Sequence, residues 1–229
     1  DDGTGTTIVD SSKYGNDGTL TNSSTGTGWV TTTASTGFSN PYALEFDGVN
    51  DYVSYETSAG DGISKSFTIS SWINANSIGG GSNYNQPILA KGYFRYGLYL
   101  DSNQRIRVWI NNASGFWADS VVSLNTWHNI TYVHSQAGDY IYYNGSLDKQ
   151  GDLPDPTGVD GASVISGYHA GAGKFNGSID DIRIYNRALA ASEVSSLANG
   201  NPGTGSGVYA LGSALDINGD LNIYAGGID

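Results

Sequence analysis

Residues 174–194 read KFNGSIDDIRIYNRALAASEV, and this stretch decides the fold. Two adjacent aspartates, Asp180 and Asp181, lead a run of alternating apolar residues, which is the pattern of a β-strand. Like charges repel, so this strand is expected to have a positively charged partner at its start. The following segment, 188–200, is the only plausible helix of the chain and is predicted to end at Asn199-Gly200.

Short β-type segments recur at regular spacing upstream of this stretch. In SFTISSWINA, residues 66–75, Phe67, Ile69 and Ile73 fall on one face of a predicted strand. Further segments alternate in the same way, and clusters of Gly, Asn, Asp and Ser separate them: ALEFDG, DYVSY, RYGLYLDS, QRIRVWINN, WHNITYVHS and DYIYYNGSL. This arrangement predicts an all-β sandwich, whereas residues 1–40 read as loop with short extended pieces.

The composition excludes several classes of protein. With 16 tyrosines and 5 tryptophans the chain is folded, and with a net charge of −12 and 10 basic residues it does not suit a nucleic-acid partner. There is no cysteine for disulfide or thiol chemistry, and no apolar run approaches the roughly 18 residues that membrane insertion needs. The acidic, Thr/Ser/Asn/Gly-rich profile predicts an extracellular, cell-surface protein of a bacterium or archaeon, secreted, with its signal peptide not present in this chain.

The character of the sequence changes after residue 200. Residues 201–207 are predicted to form a Gly-rich linker. Residues 208–229 are predicted to form a separate β unit, in which ALDI and LNIY flank a turn at Asn218-Gly219-Asp220, and which is either a donor strand or the start of a further repeat. A unit this short cannot bury a core of its own, so we expect it to pack on residues 1–200 or on another chain.

Several segments together resemble a known family. DDGTGTTIVDSSKYGNDGTL, ALEFDGVNDYVSY, FTISSWINA and FNGSIDDIRIYNRALAASEV occur in the order and spacing of a laminin G-like domain. Residues 1–200 are more closely similar to the concanavalin A-like jelly roll of bacterial surface proteins. The resemblance implies two antiparallel sheets and a non-catalytic module that binds carbohydrate or another surface partner, in many cases with a structural calcium ion.

The resemblance implies where calcium would lie. In the family a cation ties the N-terminal loop to the last strand through acidic side chains and loop carbonyls, as a hard cation requires. The matching positions are Asp180 or Asp181, Asp1 or Asp2, and the turn Asn16-Asp17-Gly18. The alternative is that Asp180 caps a turn while Asp181 pairs with Arg183 or Arg187.

The resemblance also implies one strand more than residues 1–200 contain. In relatives, a Trp-containing strand precedes the DDGTG loop and pairs beside the strand that carries IDDIRIY. An edge without that strand would leave backbone N–H and C=O groups unpaired. Residues 208–229 have the length and alternation to fill this position, either in their own domain or in an identical neighbouring subunit.

A glycan site would need exposed aromatic rings beside amide and carboxylate groups. Such residues fall in NNASGFWADS, predicted to be a loop between strands, and in GSNYNQP: Tyr84, Asn111, Asn112, Phe116, Trp117 and Asp119. The alternative is that Trp117 only covers the edge of the sandwich. Trp72, Trp109 and Trp127 lie in predicted strands and are interpreted as packing residues.

Catalysis is not predicted. Glycosidases of related fold need two carboxylates close together, and the three glutamates, Glu45, Glu56 and Glu193, stand more than ten residues apart. Two hypotheses follow. The first is an extracellular binding or adhesion module for a glycan or surface polymer, with structural calcium. The second is a subunit of an extracellular filament, assembled by strand exchange through residues 208–229.

Overall fold

A computed structural model describes residues 3–10, 15–21, 28–36, 40–55, 65–78, 85–92, 95–111, 114–157, 163–167 and 173–199, and the backbone of 216–217. Asp1, Asp2, Tyr84, Asn112, the predicted linker and most of the tail therefore lie outside the described residues. The elements are, in chain order, β1 (Thr7–Ile8), β2 (Gly18–Thr21), β3 (Gly28–Val30), β4 (Ala43–Asp47), β5 (Tyr52–Tyr55), β6 (Phe67–Ala75), β7 (Gln86–Lys91), β8 (Tyr96–Leu100), β9 (Arg105–Ile110), β10 (Ser114–Val121), β11 (His128–Ser135), β12 (Gly138–Tyr143), β13 (Ser146–Gly151), β14 (Ser163–Ile165), β15 (Asn176–Tyr185), α1 (Ala191–Ala198) and β16 (Asp216–Ile217).

The strands form two antiparallel sheets. Sheet I has the order β1-β2-β5-β14-β7-β8-β9-β10. Sheet II has the order β13-β12-β11-β6-β15-β4-β3, and β16 pairs with β15. The predicted all-β sandwich with one short helix is confirmed.

The core lies between the two sheets and follows from the alternation in the strands. Phe67, Ile69 and Ile73 of β6 are fully buried, as predicted for one face of that segment. The ring of Phe67 lies 5.0 Å from Tyr96 in sheet I and 5.6 Å from Tyr132 in sheet II. This aromatic group therefore joins the two sheets at the first residue of β6.

Helix α1 packs on the outer face of sheet II. Val194 and Leu197 are its buried residues, and the helix contacts β11 and β13. The hydroxyl of Thr68, buried on the outer face of β6, accepts the N–H of Leu189 and donates to the carbonyl of Arg187. The helix ends at Asn199, as predicted.

Strand β15 has different neighbours along its two edges. It pairs with β6 along one edge, while β4 covers residues Asn176–Ile179 of the other. Beyond β4, Ile182 and Arg183 pair with β16, so part of the C-terminal segment lies beside the strand that carries IDDIRIY. Between Asp180 and Arg183 the register with β6 shifts, and Asp181 has a φ of +45°. This is a β-bulge.

At the bulge, both aspartates have partners within the protein. Both side chains are buried, and the carboxylate of Asp180 accepts hydrogen bonds from Ala34 N (3.0 Å), Asn40 Nδ2 (2.7 Å) and its neighbour Asp181 N (2.8 Å). Asp181 pairs with Arg183 Nε at 2.7 Å, with only 4% and 3% of the two side chains exposed. Burial, helped by the charge of Asp181, raises the pKa of Asp180 to about 7, although the three N–H donors act in the opposite direction.

The tight packing of Gly177, the first residue of β15 that pairs with β6, predicts an effect on stability. Gly177 has a φ of +138°, and a Cβ there would collide with the carbonyl oxygen of Asn74. We expect Gly177→Ala to lower the free energy of unfolding by about 2–4 kcal/mol, measured by chemical denaturation. Gly5→Ala is the matched control, because Gly5 has a φ of +84° but no atom within 4 Å of the added Cβ. Equal losses for the two variants would contradict the collision.

Asp180 predicts a dependence of stability on pH. Its pKa is about 7 in the folded chain against 3.8 for the free group, so folding favours the neutral carboxyl. This contribution is fully present below about pH 4 and is lost as pH rises through 7, by up to about 4 kcal/mol. Asp180→Asn stays neutral, so the wild-type unfolding free energy should fall relative to that variant as pH rises.

The comparison uses unfolding curves of both chains from pH 4 to pH 8, at equal ionic strength, in chelator and in calcium chloride. Asn offers one acceptor fewer to the three donors, which gives an offset that does not depend on pH. Parallel curves for the two chains in chelator would show that Asp180 has an ordinary pKa. A pH difference that disappears only in calcium would indicate a cation on the ionised carboxylate.

Candidate functional site

The structure places the predicted calcium residues in two sheets. Asn16 and Asp17 form a turn before β2, in which Asp17 Oδ1 accepts Asp10 N (2.8 Å) and Asp10 Oδ2 accepts Asn16 N (2.6 Å). Gly18 is the first residue of β2 and pairs with Tyr55 in sheet I. Asp180 and Asp181 belong to β15 in sheet II.

The surroundings of Asp180 and Asp181 suit hydrogen-bond donors rather than a cation. Three N–H groups point at the Asp180 carboxylate, and a guanidinium holds Asp181. Calcium requires six to eight oxygen ligands, and within the described ranges no group of three or more His or acidic side chains gathers to supply them. The described groups around these two residues do not by themselves form a calcium site. Asp1 and Asp2 lie outside the described residues, so calcium held by the predicted set of ligands stays a prediction.

The segment that was predicted to be a loop around Trp117 is strand β10. It pairs with β9 from Ser114 opposite Ile110 to Val121 opposite Arg105. Trp117 and Asp119 point outward, whereas Ala118 between them is fully buried. The loop prediction was wrong because Gly115 and the neighbouring small polar residues hid this alternation.

Phe116 and Asn111, two of the predicted ligand residues, make structural contacts instead. The ring of Phe116 packs inward against Gly151, where an added Cβ would lie 2.6 Å from it. The side chain of Asn111 donates to Asp155 O (3.0 Å) and accepts Thr157 N (2.7 Å), which fixes the loop after β13 to the end of β9.

His134 anchors the same loop from the other sheet, and sequence reasoning gave it no role. Its Nδ1 lies 2.8 Å from Asp139 Oδ1, and its Nε2 lies 3.4 Å from Asp155 Oδ1. Burial disfavours the charged ring, but the two carboxylates outweigh it and raise the pKa of His134. The loop is therefore held to both sheets.

A groove of about 490 Å³ opens on the outer face of β8–β10. Its lining consists of the following residues: Asp101, Asn103, Arg105, Trp117 and Val121. Trp117 is 41% exposed, which is unusual for the largest apolar side chain. The groove lies where the β9–β10 register shifts, since Trp117 stands opposite Arg107 but Val121 opposite Arg105.

Where the register shifts, two backbone N–H groups of β10 bond to a side chain of sheet II. Asp148 of β13 accepts the N–H groups of Asp119 (2.6 Å) and Ser120 (3.1 Å). Lys149 Nζ in turn lies 2.8 Å from Asp119 Oδ1. Asp119, predicted as a ligand residue, is therefore paired, and the edges of the two sheets are joined beside the groove.

A column of stacked side chains supports Trp117. The guanidinium of Arg107 lies 4.1 Å from the ring of Trp109 and 4.6 Å from that of Trp117. Trp109 meets Tyr99 edge-to-face at 6.3 Å. These contacts hold the exposed indole in one orientation. Arginines at alternate positions of RIRVWI were the available signal for this column.

Among the described residues, the lining of the groove holds one carboxylate and not the pair that glycoside hydrolysis requires. Asp101 is the one acidic side chain in the described lining, and its Oδ1 accepts the N–H groups of Asn103 (2.8 Å) and Arg105 (2.9 Å). Glu45 accepts a hydrogen bond from Asn76, and Glu193 pairs with Arg187. Glu56 lies outside the described residues.

No described helix is long and apolar enough to cross a membrane. Among curated proteins, none matches this chain in sequence.

Solved structures share the fold at low sequence identity. Domain 4 of an extracellular arabinanase from Geobacillus stearothermophilus, in complex with arabinotriose, matches with a TM-score of 0.59 and 18% identity over 81% of this chain and 89% of that domain. The binding domain of botulinum neurotoxin serotype G matches with a TM-score of 0.60 and 20% identity over 83% of this chain and 47% of that one. A Trypanosoma rangeli sialidase matches with a TM-score of 0.58 and 16% identity over 80% and 29%.

This chain thus spans less than half of the neurotoxin domain and of the sialidase, and nearly all of the arabinanase domain. A sequence model of the laminin G-like group matches residues 47–195, which is more than half of the 229 residues. The chain belongs to the concanavalin A-like lectin/glucanase superfamily.

Proposed function

We propose that the protein is a non-catalytic, extracellular carbohydrate-binding module that holds a glycan in the groove beside Trp117. The observation that carries the proposal is this indole, exposed at the wall of a groove and supported from behind by Arg107. Sugars present C–H faces that stack on aromatic rings and hydroxyl groups that bond to polar side chains. The groove offers both kinds of surface.

The site is also rigid before any ligand binds. The stacked column fixes the ring of Trp117, and the carboxylate of Asp148 fixes the bulged backbone beside it. A preorganised site loses little side-chain entropy on binding, so more of the contact energy appears as affinity.

The relatives support the class of function but not the choice of sugar. One similar domain was solved with arabinotriose and another is the binding domain of a neurotoxin. The sialidase shows that the fold also occurs in proteins with glycosidase activity. The single carboxylate in the described lining favours binding over hydrolysis in this chain.

Replacing Trp117 tests the proposal. Affinity electrophoresis first identifies the polysaccharides that retard the wild-type protein in the gel. We expect Trp117→Ala to weaken binding to these polysaccharides by about tenfold or more, equal to about 1.4 kcal/mol. Val49→Ala removes another exposed apolar side chain, at the β4–β5 turn, and should leave binding unchanged. Glycan binding that survives in Trp117→Ala would move the site elsewhere on the molecule.

A second candidate function is a filament subunit, and the observation that favours it is the pairing of β16 with β15. The edge of β15 beyond β4 accepts a strand, and that strand comes from a segment distant along the chain. We propose that the same edge accepts residues 208–229 of a neighbouring subunit when subunits assemble. Antiparallel backbone pairing would then link the copies.

A proline within the pairing of β16 with β15 tests assembly. We expect light scattering of the wild type to show oligomers that grow with protein concentration and resist salt. Ile217→Pro removes a backbone donor from β16 and should give monomers. Leu215→Pro, in the same segment but outside the described pairing, is the matched control. Monomeric wild type at all concentrations would contradict exchange between subunits.

A further inference from the structure

Arg105, which lines the groove, and Arg107, which stacks on Trp117 beside it, lack, in the described part of the chain, the acidic partner that three other cations of the protein have. Lys149 pairs with Asp119, Arg183 with Asp181 and Arg187 with Glu193. Within the described residues, no carboxylate contacts the guanidinium of Arg105 or Arg107. In a chain with 22 acidic and 10 basic residues, two arginines without an acidic partner on one face are unexpected.

The two guanidinium groups differ in their surroundings but share one face of β9. Arg105 is exposed, whereas Arg107 is half-buried between Trp109 and Trp117. Arg107 Nε is buried with no hydrogen-bond partner among the described residues. Because this Nε is closed to solvent, an incoming anion would meet the remaining guanidinium nitrogens of Arg107.

The acidic side chains near the groove face donors of the protein rather than the two arginines. Asp101 is only 6% exposed, and its carboxylate accepts the N–H groups of its own turn. Asp119 is bound by Lys149, and Asp148 by the backbone of β10. These carboxylates keep their negative charge, but the exposed charged group in the described lining of the groove is the guanidinium of Arg105.

The register places the four side chains in two parallel rows. Trp117 stands opposite Arg107 and Val121 opposite Arg105, with cross-strand Cβ separations of about 5 Å. The two arginines are two residues apart on one strand, about 6.6 Å. An apolar row on β10 thus runs beside a cationic row on β9. This surface complements a ligand with one apolar face and one anionic edge.

We propose that the groove selects an acidic glycan, with a sugar ring on Trp117 and Val121 and its carboxylate on Arg105 and Arg107. The inference rests on the proposed function, because it names the sugar class for the same groove. The planar guanidinium matches a carboxylate with two parallel hydrogen bonds, which favours a uronic-acid residue over a neutral sugar.

The experiment compares three polyuronates, namely polygalacturonate, alginate and hyaluronate, with their carboxyl-reduced forms. Reduction converts each carboxylate to a primary alcohol and keeps the linkage. In calorimetric titrations at low salt we expect at least one polyuronate to bind about tenfold or more tightly than its reduced form, with the difference shrinking as salt is added. Dextran sulfate and unmodified dextran serve as a second anionic and neutral pair.

Substitutions separate the two parts of the site. Arg105→Gln, on an exposed side chain, should bring the affinity for the polyuronate down to that of its reduced form. Lys65→Gln makes the same charge change on another exposed residue and should have no effect. Arg107→Lys keeps a cation but removes the paired donors, so it should lose most of the preference while near-ultraviolet circular dichroism reports whether Trp109 and Trp117 stay packed.

The outcomes distinguish the inference from the function on which it rests. Equal affinity for charged and reduced forms, lost together in Trp117→Ala, would overturn the acidic preference and leave the glycan site intact. A preference for dextran sulfate as strong as that for polyuronate would overturn the assignment of a carboxylate. Binding that is indifferent to Trp117 would overturn both proposals.

Discussion

Burial of two adjacent aspartates in β15 is the constraint on which the arrangement of sheet II depends. A carboxylate removed from water needs donors, and those of Asp180 come from residues 34 and 40 in the connection between β3 and β4. Asp181 takes its donor from Arg183 on the same strand, within the bulge. The bulge begins where the pairing with β4 ends and β16 begins. The two buried aspartates thus hold a loop and lie where the strand bulges and changes its neighbour.

The two sheets differ in what covers their outer faces. Helix α1 lies on sheet II, and buried polar groups such as Ser70, Asn129 and Thr131 bond to one another on that side of the sheet. Sheet I instead exposes Trp117 and Val121 beside the arginines of β9. An apolar and charged surface left open by the fold is the feature that distinguishes a binding face from a packing face. The functional proposals therefore concern sheet I.

Local patterns in the sequence predicted many of the strands and the helix, because alternation and capping depend on near neighbours, whereas β10 was predicted as a loop. The pairing of Asp181 with Arg183 was also accessible as an alternative, since the two residues lie two positions apart. The groove was not accessible, because it depends on the register between β9 and β10 and on Asp148, which comes from the other sheet. Trp117 was identified by its residue type alone. Arg105 and Arg107 alternate visibly in RIRVWI, but they were missed because nothing local indicates which row of β10 lies beside them.

The position of β16 has a consequence for how many ligands an assembly could engage. Its partner β15 belongs to sheet II, whereas the groove lies on β9 and β10 of sheet I. A strand added at the edge of β15 and a sugar held in the groove would not compete for the same surface. Each subunit joined in this way would keep its groove open, and a repeating glycan could contact several grooves at once. Weak individual contacts would then combine into firm attachment through high effective concentration.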